Sequence, residues 1–377
     1  HTGEGVSPFF LASSPLSPPD LIAPENGTYT TDNTPTFEWS EVSDADNYKL
    51  QYSKDKTFEI GTVSIENIRK QSYTPSPENS LSENTYYWRV RSGTNIGDVS
   101  DWTDTWTFTV SEHVYEENTF YVDNDWQGGS GVPDQLTYGV DAFASITGAV
   151  DNADSVENNE IRVFPGLYDS SMEDFPIQIN VENLDIVSEN GPNETLVDVG
   201  DSSTNGFRLT ENSIELIGFS VNEANDGFYL DGSSKHHLEN NAVKNSFYGF
   251  HIEESVGNLF ENNLAKANGS YGFSLVIYSD NNILLRNRAE NNEDAGFYVG
   301  GSLNVLEKNL SVNNNQGFYV QVDNNILLRN RAENNGDAGF YIAGEFNVLE
   351  KNLSFNNKKG VYVEESGLDN HTIFHNF

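Results

Sequence analysis

A short apolar motif recurs through the later part of the chain at nearly constant spacing. Successive copies are 21 to 24 residues apart, and no helical period runs between them. A repeat of this length, built from short strands and turns, predicts one turn of a β-solenoid. The close leucine frame of leucine-rich repeats is absent. The motif is a Gly-Phe pair that begins at Gly206, Gly227, Gly249, Gly272, Gly296, Gly317 and Gly339, with Gly360-Val361 as the last member.

Alternation within each repeat predicts which side chains point inward. Phe297 and Val299 are expected inside the solenoid and Tyr298 outside, because successive strand residues point to opposite faces. The outward position is filled in turn by Arg208, Tyr229, His251, Ser274, Tyr298, Tyr319, Tyr341 and Tyr362.

Two series of asparagines are expected at the corners between strands. Stacked side-chain amides hydrogen-bond from one repeat to the next, and asparagine tolerates the left-handed backbone of a tight corner. The first series is Asn241, Asn263, Asn287, Asn309, Asn330, Asn352 and Asn376, and the second is Asn245, Asn291, Asn313, Asn334 and Asn356.

Two other regions precede the repeats. Residues 1–19 are rich in proline and serine and predict an extended arm. Residues 20–111 alternate apolar and polar positions between turn-rich segments, which predicts an antiparallel β-sandwich of roughly seven strands. Apolar residues at helical spacing from Phe143 to Ala153 predict a short helix that caps the solenoid. The sequence therefore predicts an all-β protein: an arm over 1–19, a sandwich over 20–111 and a parallel β-helix of roughly ten turns over 119–377.

Both large regions resemble known families. The segments TFEWSEVSDADNYKLQYS, NTYYWRVRS and DVSDWTDTWTFTV resemble the fibronectin type III and immunoglobulin-like domains of microbial surface proteins. From residue 119, a strand, an amphipathic helix and the turn VFPGLY follow in an order that resembles the pectate-lyase-like superfamily, including its NosD-like archaeal and bacterial surface proteins. The second resemblance implies a right-handed parallel β-helix with a polysaccharide on its outward face.

The composition excludes several partners and cofactors. With 58 acidic and 20 basic residues the net charge is −38, which repels phosphate backbones, so no nucleic acid is expected as a partner. No apolar run is long enough for membrane insertion. The NosD resemblance suggests copper, but the chain has no cysteine, one methionine and seven histidines, so no soft copper site is expected. Because the chain begins at His1, we interpret it either as a mature chain from which a signal peptide has been removed or as an excised fragment of a larger protein. In both cases an extracellular or cell-surface location is expected.

The outward column contains the candidate ligand-binding residues. Tyrosine rings stack on sugar rings, so Tyr298, Tyr319, Tyr341 and Tyr362 are candidate carbohydrate-binding residues, with a purely structural tyrosine ladder as the alternative. Upstream, the candidate catalytic residues are Tyr229, Asp231 and His251, near Lys235, His236, His237 and Glu253.

An enzymatic role is not the leading hypothesis, because no complete constellation is present. A lyase needs a base and a cation, and a hydrolase needs paired carboxylates around the glycosidic oxygen. If the chain is an enzyme, it is a polysaccharide lyase or a glycoside hydrolase.

Two further kinds of site are open. Asp123 and Asp125 offer oxygen donors for calcium, but no bidentate glutamate follows, and a solvated turn is the favoured explanation. No other cofactor is expected. Sequons predict glycosylation at Asn26, Asn193, Asn268 and Asn370.

The leading functional hypothesis from sequence is a self-assembling filament or surface-layer subunit. An open strand edge pairs with another chain unless it is covered, and the last repeat stops without a cap. The subunits would join head to tail through an apolar arm and this last repeat. The assembly residues would be Phe9, Phe10, Leu11, Ile373, Phe374 and Phe377. The alternative is a protein that binds or degrades an extracellular glycan on its tyrosine face.

Overall fold

The computed structural model describes residues 16–111, 115–116, 118–154, 160–364, 370–374 and 376. The chain forms two compact units, His1–Tyr115 and Glu116–Phe377. Their regular secondary structure is almost wholly β-strand, so the predicted all-β class is confirmed. The arm residues Phe9, Phe10 and Leu11, and also Phe377, lie outside the described residues.

The first unit is a β-sandwich. Its alternating strands bury one side in a shared core in which Phe37, Leu50 and Trp88 are fully buried, and this burial is why the period-two pattern forms sheets. One sheet has the order Leu21–Ala23, Phe37–Trp39, Ser72–Tyr73, and the other Thr28–Thr30, Trp106–Val110, Asn84–Gly93, Asn47–Ser53, Val63–Ile68. A 3-10 helix occupies Pro77–Asn79. Its described residues form eight strands, where roughly seven were predicted.

The second unit is a right-handed parallel β-solenoid of about eleven turns, close to the ten predicted. Three parallel sheets form its sides. The first sheet contains Ala142–Phe143, Thr119–Val122, Glu160–Val163, Asp185–Ser188, Glu215–Ile217, His237–Glu239, Leu259–Glu261, Ile283–Leu285, Val305–Glu307, Ile326–Leu328, Val348–Glu350 and Thr372–Phe374. The second contains Gly166–Asp169, Thr195–Asp201, Ser220–Ala224, Ala242–Lys244, Leu264–Lys266, Arg288–Glu290, Leu310–Val312, Arg331–Glu333 and Leu353–Phe355. The third contains Ile177–Ile179, Phe207–Leu209, Asp226–Asp231, Tyr248–Glu253, Phe273–Leu275, Ala295–Val299, Gln316–Val320, Ala338–Ile342 and Lys359–Val363.

A short helix, Ile146–Val150, lies at the start of the solenoid and is shorter than the predicted Phe143 to Ala153. Its apolar side is buried in the solenoid core. The buried Glu173 carboxylate accepts hydrogen bonds from the Ile146 and Thr147 amides at 2.6 and 2.9 Å. These bonds satisfy donors that the first turn of a helix leaves free. A 3-10 helix also occupies Gln127–Gly129.

The Gly-Phe pairs build the interior of the third sheet. The phenylalanine rings stack along the solenoid axis with centroids 4.7 to 5.2 Å apart and planes within 6° of parallel. The glycine is needed because the next turn passes very close. A Cβ atom at Gly317 would lie 2.3 Å from the Gly339 carbonyl oxygen. The rings that stack are Phe207, Phe228, Phe250, Phe273, Phe297, Phe318 and Phe340.

Asparagine ladders run along all three corners of the solenoid. The predicted first series stacks as expected: each side-chain amide of this ladder donates to the amide oxygen of the next, as Asn287 does to Asn309 at 3.2 Å. The left-handed residue is not the ladder asparagine but the one before it, for example Lys308 with φ 57°. The second predicted series is left-handed throughout. Two ladders were missed, one through Asn268, Asn292, Asn314, Asn335 and Asn357, the other through Asn258, Asn282, Asn304, Asn325 and Asn347.

His236 occupies the ladder position one turn before Asn258. It is 2% exposed, its Nδ1 accepts a hydrogen bond from the Ile214 amide at 3.2 Å, and its Nε2 lies 2.9 Å from Ser233 Oγ. Since Nδ1 accepts, the proton is on Nε2, which donates to Ser233. Burial lowers the pKa of His236 from 6.5 to about 4.

Replacing His236 with asparagine is expected to make folding less sensitive to acid. The unfolded chain takes up a proton near pH 6.5 and the folded chain only near pH 4, so the wild type loses stability as the pH falls through this window. At about pH 5 the loss is about 2 kcal/mol relative to neutral pH. The stability difference between His236→Asn and wild type, measured by urea unfolding, should therefore shift in favour of the variant at pH 5. An equal difference at both pH values would contradict it.

Candidate functional site

The outward face of the third sheet carries the predicted column. Its strands pair in register, so the outward residues of successive turns lie directly beside one another. Ser274 interrupts the column and is 1% exposed. At that turn Tyr271 stacks on Tyr298 instead, with ring centroids 4.8 Å apart and planes within 10°.

Six half-buried tyrosines form a continuous surface on this face, which we name the aromatic strip. It comprises Tyr248, Tyr271, Tyr298, Tyr319, Tyr341 and Tyr362. Neighbouring ring centroids are 4.8 to 5.8 Å apart, and the pairs Tyr298 with Tyr319 and Tyr319 with Tyr341 meet edge to face. The four predicted carbohydrate-binding tyrosines are therefore adjacent. Each ring contacts a neighbouring ring, as in a structural ladder, and also exposes part of its surface to solvent. Tyr248 and Tyr271 were missed because they precede the Gly-Phe pair rather than following it.

Hydroxyl groups along the aromatic strip are joined to polar side chains. The Tyr298 hydroxyl donates to Gln321 Oε1, and Gln321 Nε2 donates to the Tyr319 hydroxyl at 3.1 Å. Burial, together with the nearby Asp294 carboxylate, raises the pKa of Tyr271 to about 12, so its hydroxyl stays protonated at neutral pH. The strip thus presents apolar ring surface with hydroxyl donors and acceptors beside it.

A group of charged and polar residues lies at the upstream end of the strip, and we name it the polar cluster. It comprises Arg208, Asp226, Tyr229, Asp231, His251 and Glu253. His251 Nδ1 lies 3.2 Å from the Asp226 carboxylate, and the side chains of the two residues are 17% and 5% exposed. The His251 ring also contacts Tyr248 at 4.9 Å between centroids, which joins the cluster to the strip.

The rest of the polar cluster is internally paired. The Tyr229 hydroxyl donates to Glu253 at 2.5 Å, and Arg208 forms an ion pair with Asp231. Burial and the hydrogen bond to Glu253 raise the pKa of Tyr229 well above its ordinary value. The structure therefore brings the candidates Tyr229, Asp231 and His251 onto one face. Asp226 was missed, because it begins its strand and lies outside the alternating column.

The other two histidines of the predicted upstream group lie elsewhere. His236 is buried in a corner ladder, so it does not belong to the outward face. His237 lies on the first sheet, where its Nδ1 is 2.8 Å from Glu215. A corner of the solenoid lies between the strand Asp226–Asp231 of the third sheet and the strand His237–Glu239 of the first. Residues after this corner therefore do not lie on the outward face of the third sheet.

The candidate calcium ligands Asp123 and Asp125 lie in a tight turn. Asp123 Oδ1 accepts a hydrogen bond from the Asp125 amide at 2.9 Å, as in a tight turn, and burial raises the pKa of Asp123. Over the described ranges, no group of three histidine, aspartate or glutamate side chains is placed to hold a metal ion. The histidine side chains of the solenoid for which contacts are known bond to protein groups instead.

The predicted sequons occupy different environments. Asn26, Asn193 and Asn370 are exposed. Asn268 is 1% exposed, and its side-chain nitrogen donates to Asn292 in a ladder, so this amide is not accessible for glycosylation in the folded protein. Ile373 and Phe374 are 42% and 38% exposed on the last described strand. No helix in the described part of the chain is long and apolar enough to cross a bilayer.

Among the solved structures that the chain resembles, a pectate lyase supports the fold. Pectate lyase Pel9A is 17% identical, with 68% of this chain and 79% of that chain covered and a TM-score of 0.52. The A-module of mannuronan C-5 epimerase AlgE4 from Azotobacter vinelandii is 14% identical, with 63% and 79% covered and a TM-score of 0.45. Alginate lyase from Paenibacillus sp. str. FPU-7 is 12% identical, with 64% and 97% covered and a TM-score of 0.45. No curated protein sequence matches the chain.

A family model gives the assignment. The model described as periplasmic copper-binding protein (NosD) matches residues 152–372, which is more than half of the chain and most of the solenoid. The chain therefore belongs to the NosD family.

Proposed function

We propose that the protein binds a polysaccharide along the aromatic strip. The observation that carries this proposal is the unbroken contact of six half-buried tyrosines over successive turns of one face. Turns of a parallel solenoid repeat every ~4.8 Å, so the strip extends over about 24 Å, long enough for several sugar units.

The chemistry of the strip suits a sugar chain. Sugar rings have apolar C–H faces that pack on aromatic rings, and hydroxyls at their edges that need hydrogen-bond partners. Tyr298, Tyr319 and Gln321 provide both kinds of contact. The solved pectate lyase of the same fold acts, by its name, on a polysaccharide, and we carry over only this general class of ligand.

Cleavage of the polysaccharide stays a prediction. The Asp226 carboxylate orients His251, but Arg208 is already paired with Asp231, and Tyr229 with Glu253. The residues of the polar cluster can therefore contact a bound sugar. None of them is an unpaired cation that would stabilise the negative charge formed in a lyase reaction.

Copper binding is not part of the proposal, although the family description names it. Copper sites use thiolate, thioether or several imidazole ligands. The chain has no cysteine and a single methionine, and His236 uses both ring nitrogens within the protein. The described residues do not fit a copper site, and we derive no copper chemistry. The family description favours a location outside the cytoplasm, and cell-surface exposure stays a prediction.

Assembly into a filament also stays a prediction, for which electron microscopy of the full chain is the test. The exposure of Ile373 and Phe374 belongs to the last strand of the sequence given, so it adds no weight to assembly. Calcium binding at Asp123 and Asp125 stays a prediction as well.

Replacing Tyr319 with alanine is expected to weaken polysaccharide binding about tenfold, because the variant removes a central ring and its contacts to two neighbours. Isothermal titration calorimetry against a panel of oligosaccharides measures the effect. Phe355→Ala is the matched control, because Phe355 is a 60% exposed aromatic residue on the second sheet. Equal binding by the Tyr319 variant and the wild type would refute the proposed site.

A further inference from the structure

Carboxylates border the aromatic strip along its length. Asp226, Asp231 and Glu253 lie in the polar cluster at its upstream end. Farther along, Asp294 lies near Tyr271, and Glu364 lies near Tyr341. These carboxylates add to a chain whose net charge is −38.

The cations in contact with the strip and the polar cluster are already paired. Arg208 pairs with Asp231 at one end. Lys359 lies 4.2 Å above the centre of the Tyr362 ring at the other end and 3.6 Å from the Asp337 carboxylate. A bound sugar carboxylate would therefore meet negative groups without an unpaired cation among these residues to receive it. Bringing like charges into such contact costs binding free energy.

A positively charged sugar would be attracted to the same surface. An ammonium group is attracted to the electron-rich face of a tyrosine ring, and Lys359 on Tyr362 shows this contact within the protein itself. Ammonium groups also donate charge-assisted hydrogen bonds to carboxylates. Aromatic faces beside carboxylates thus form a surface that attracts cations.

We propose that the natural ligand of the aromatic strip is an amino-bearing polysaccharide, such as a polymer of glucosamine, rather than a polyuronate. This inference rests on the proposed polysaccharide-binding function and specifies its substrate class. Glu253 is the carboxylate best placed to act, because it is on the outward face and its hydrogen-bond donor there is the neutral Tyr229 hydroxyl rather than a cation.

Three oligomers of equal length provide the test: oligoglucosamine, its N-acetylated counterpart and oligogalacturonate. We expect oligoglucosamine to bind the full-length protein about tenfold more tightly than the acetylated oligomer, and oligogalacturonate to bind more weakly than either. Added sodium chloride should weaken the binding of oligoglucosamine and leave that of the acetylated oligomer nearly unchanged, because salt screens exposed charges.

A charge-removing variant gives the second arm. Glu253→Gln keeps an acceptor for Tyr229 and removes the charge, so it should weaken oligoglucosamine binding about threefold or more and spare the acetylated oligomer. Glu239→Gln, the same change on the first sheet, should alter neither affinity. Equal or tighter binding of the acetylated or acidic oligomer, with Tyr319→Ala still weakening it, would overturn this inference and leave the proposed function standing. Failure of all three oligomers to bind would overturn both.

Discussion

Replacing Asn309 with leucine is expected to destabilise the solenoid by about 3–5 kcal/mol. Asn309 Oδ1 accepts hydrogen bonds from the backbone and side-chain nitrogens of Asn287, at 2.8 and 3.2 Å. Its Nδ2 donates to the Leu284 carbonyl at 2.8 Å and to Asn330 at 3.0 Å. Leucine has a similar volume but makes none of these bonds, and the groups left behind are buried away from water.

We expect this loss of stability because Asn309 belongs to a buried ladder. Replacing an exposed asparagine should cost much less. Asn313, four residues later, is exposed and has φ 57°, a conformation that glycine adopts without strain. Asn313→Gly is therefore expected to cost less than about 1 kcal/mol. Urea unfolding of the full chain, followed by near-ultraviolet circular dichroism, compares the two variants. If they unfold at the same denaturant concentration, the ladder is not the source of stability.

Replacing Gly317 with alanine is expected to cost about 3 kcal/mol or more. The added Cβ would lie 2.3 Å from the Gly339 carbonyl oxygen and 2.9 Å from the Ala332 Cβ. Both contacts are with parts of the next turn that cannot rotate away. The turns would have to separate, which would disturb the Phe318 and Phe340 rings, now 4.9 Å apart.

Gly336, an exposed glycine at a corner of the solenoid, offers a control. A Cβ atom there would meet nothing closer than 3.4 Å, so Gly336→Ala should change stability by less than about 0.5 kcal/mol. Differential scanning calorimetry of both variants measures the difference. If the Gly317 variant melts at the same temperature as the Gly336 variant, the turns can separate without a cost in stability.

The fold was predictable because its signals are local and repeated. The Gly-Phe spacing fixed the solenoid, and alternation placed Phe297 inside and Tyr298 outside, as the structure has them. Two asparagine ladders were missed because asparagines are so frequent in this chain that a buried one and an exposed one look alike. Asn313 and Asn314 are neighbours, yet only the second is buried.

The candidate site was predicted only where it follows the alternation. Tyr298, Tyr319 and Tyr341 share one column and were found. Asp226 and Tyr271 come before the Gly-Phe pair of their repeat. The outward column was assigned by alternation after that pair, so it did not include them. His236 and His237 were assigned to the outward face, but neither lies there. His236 is buried inside the solenoid and His237 is on the first sheet, because a corner follows the strand of the third sheet and ends its alternation.

The three ladders also determine where the chain tolerates changes in length. From Asn258 onward, the ladder through Asn258 precedes the ladder through Asn263 by five residues in every turn. The ladder through Asn268 follows after five more residues. The remaining segment of each turn varies from 11 to 14 residues, and this segment contains the strand of the third sheet. Insertions and deletions are thus confined to the side that carries the tyrosines. Two sides of the solenoid keep a constant length in every turn. The third side can change in length and in surface residues without shifting the register of the other two.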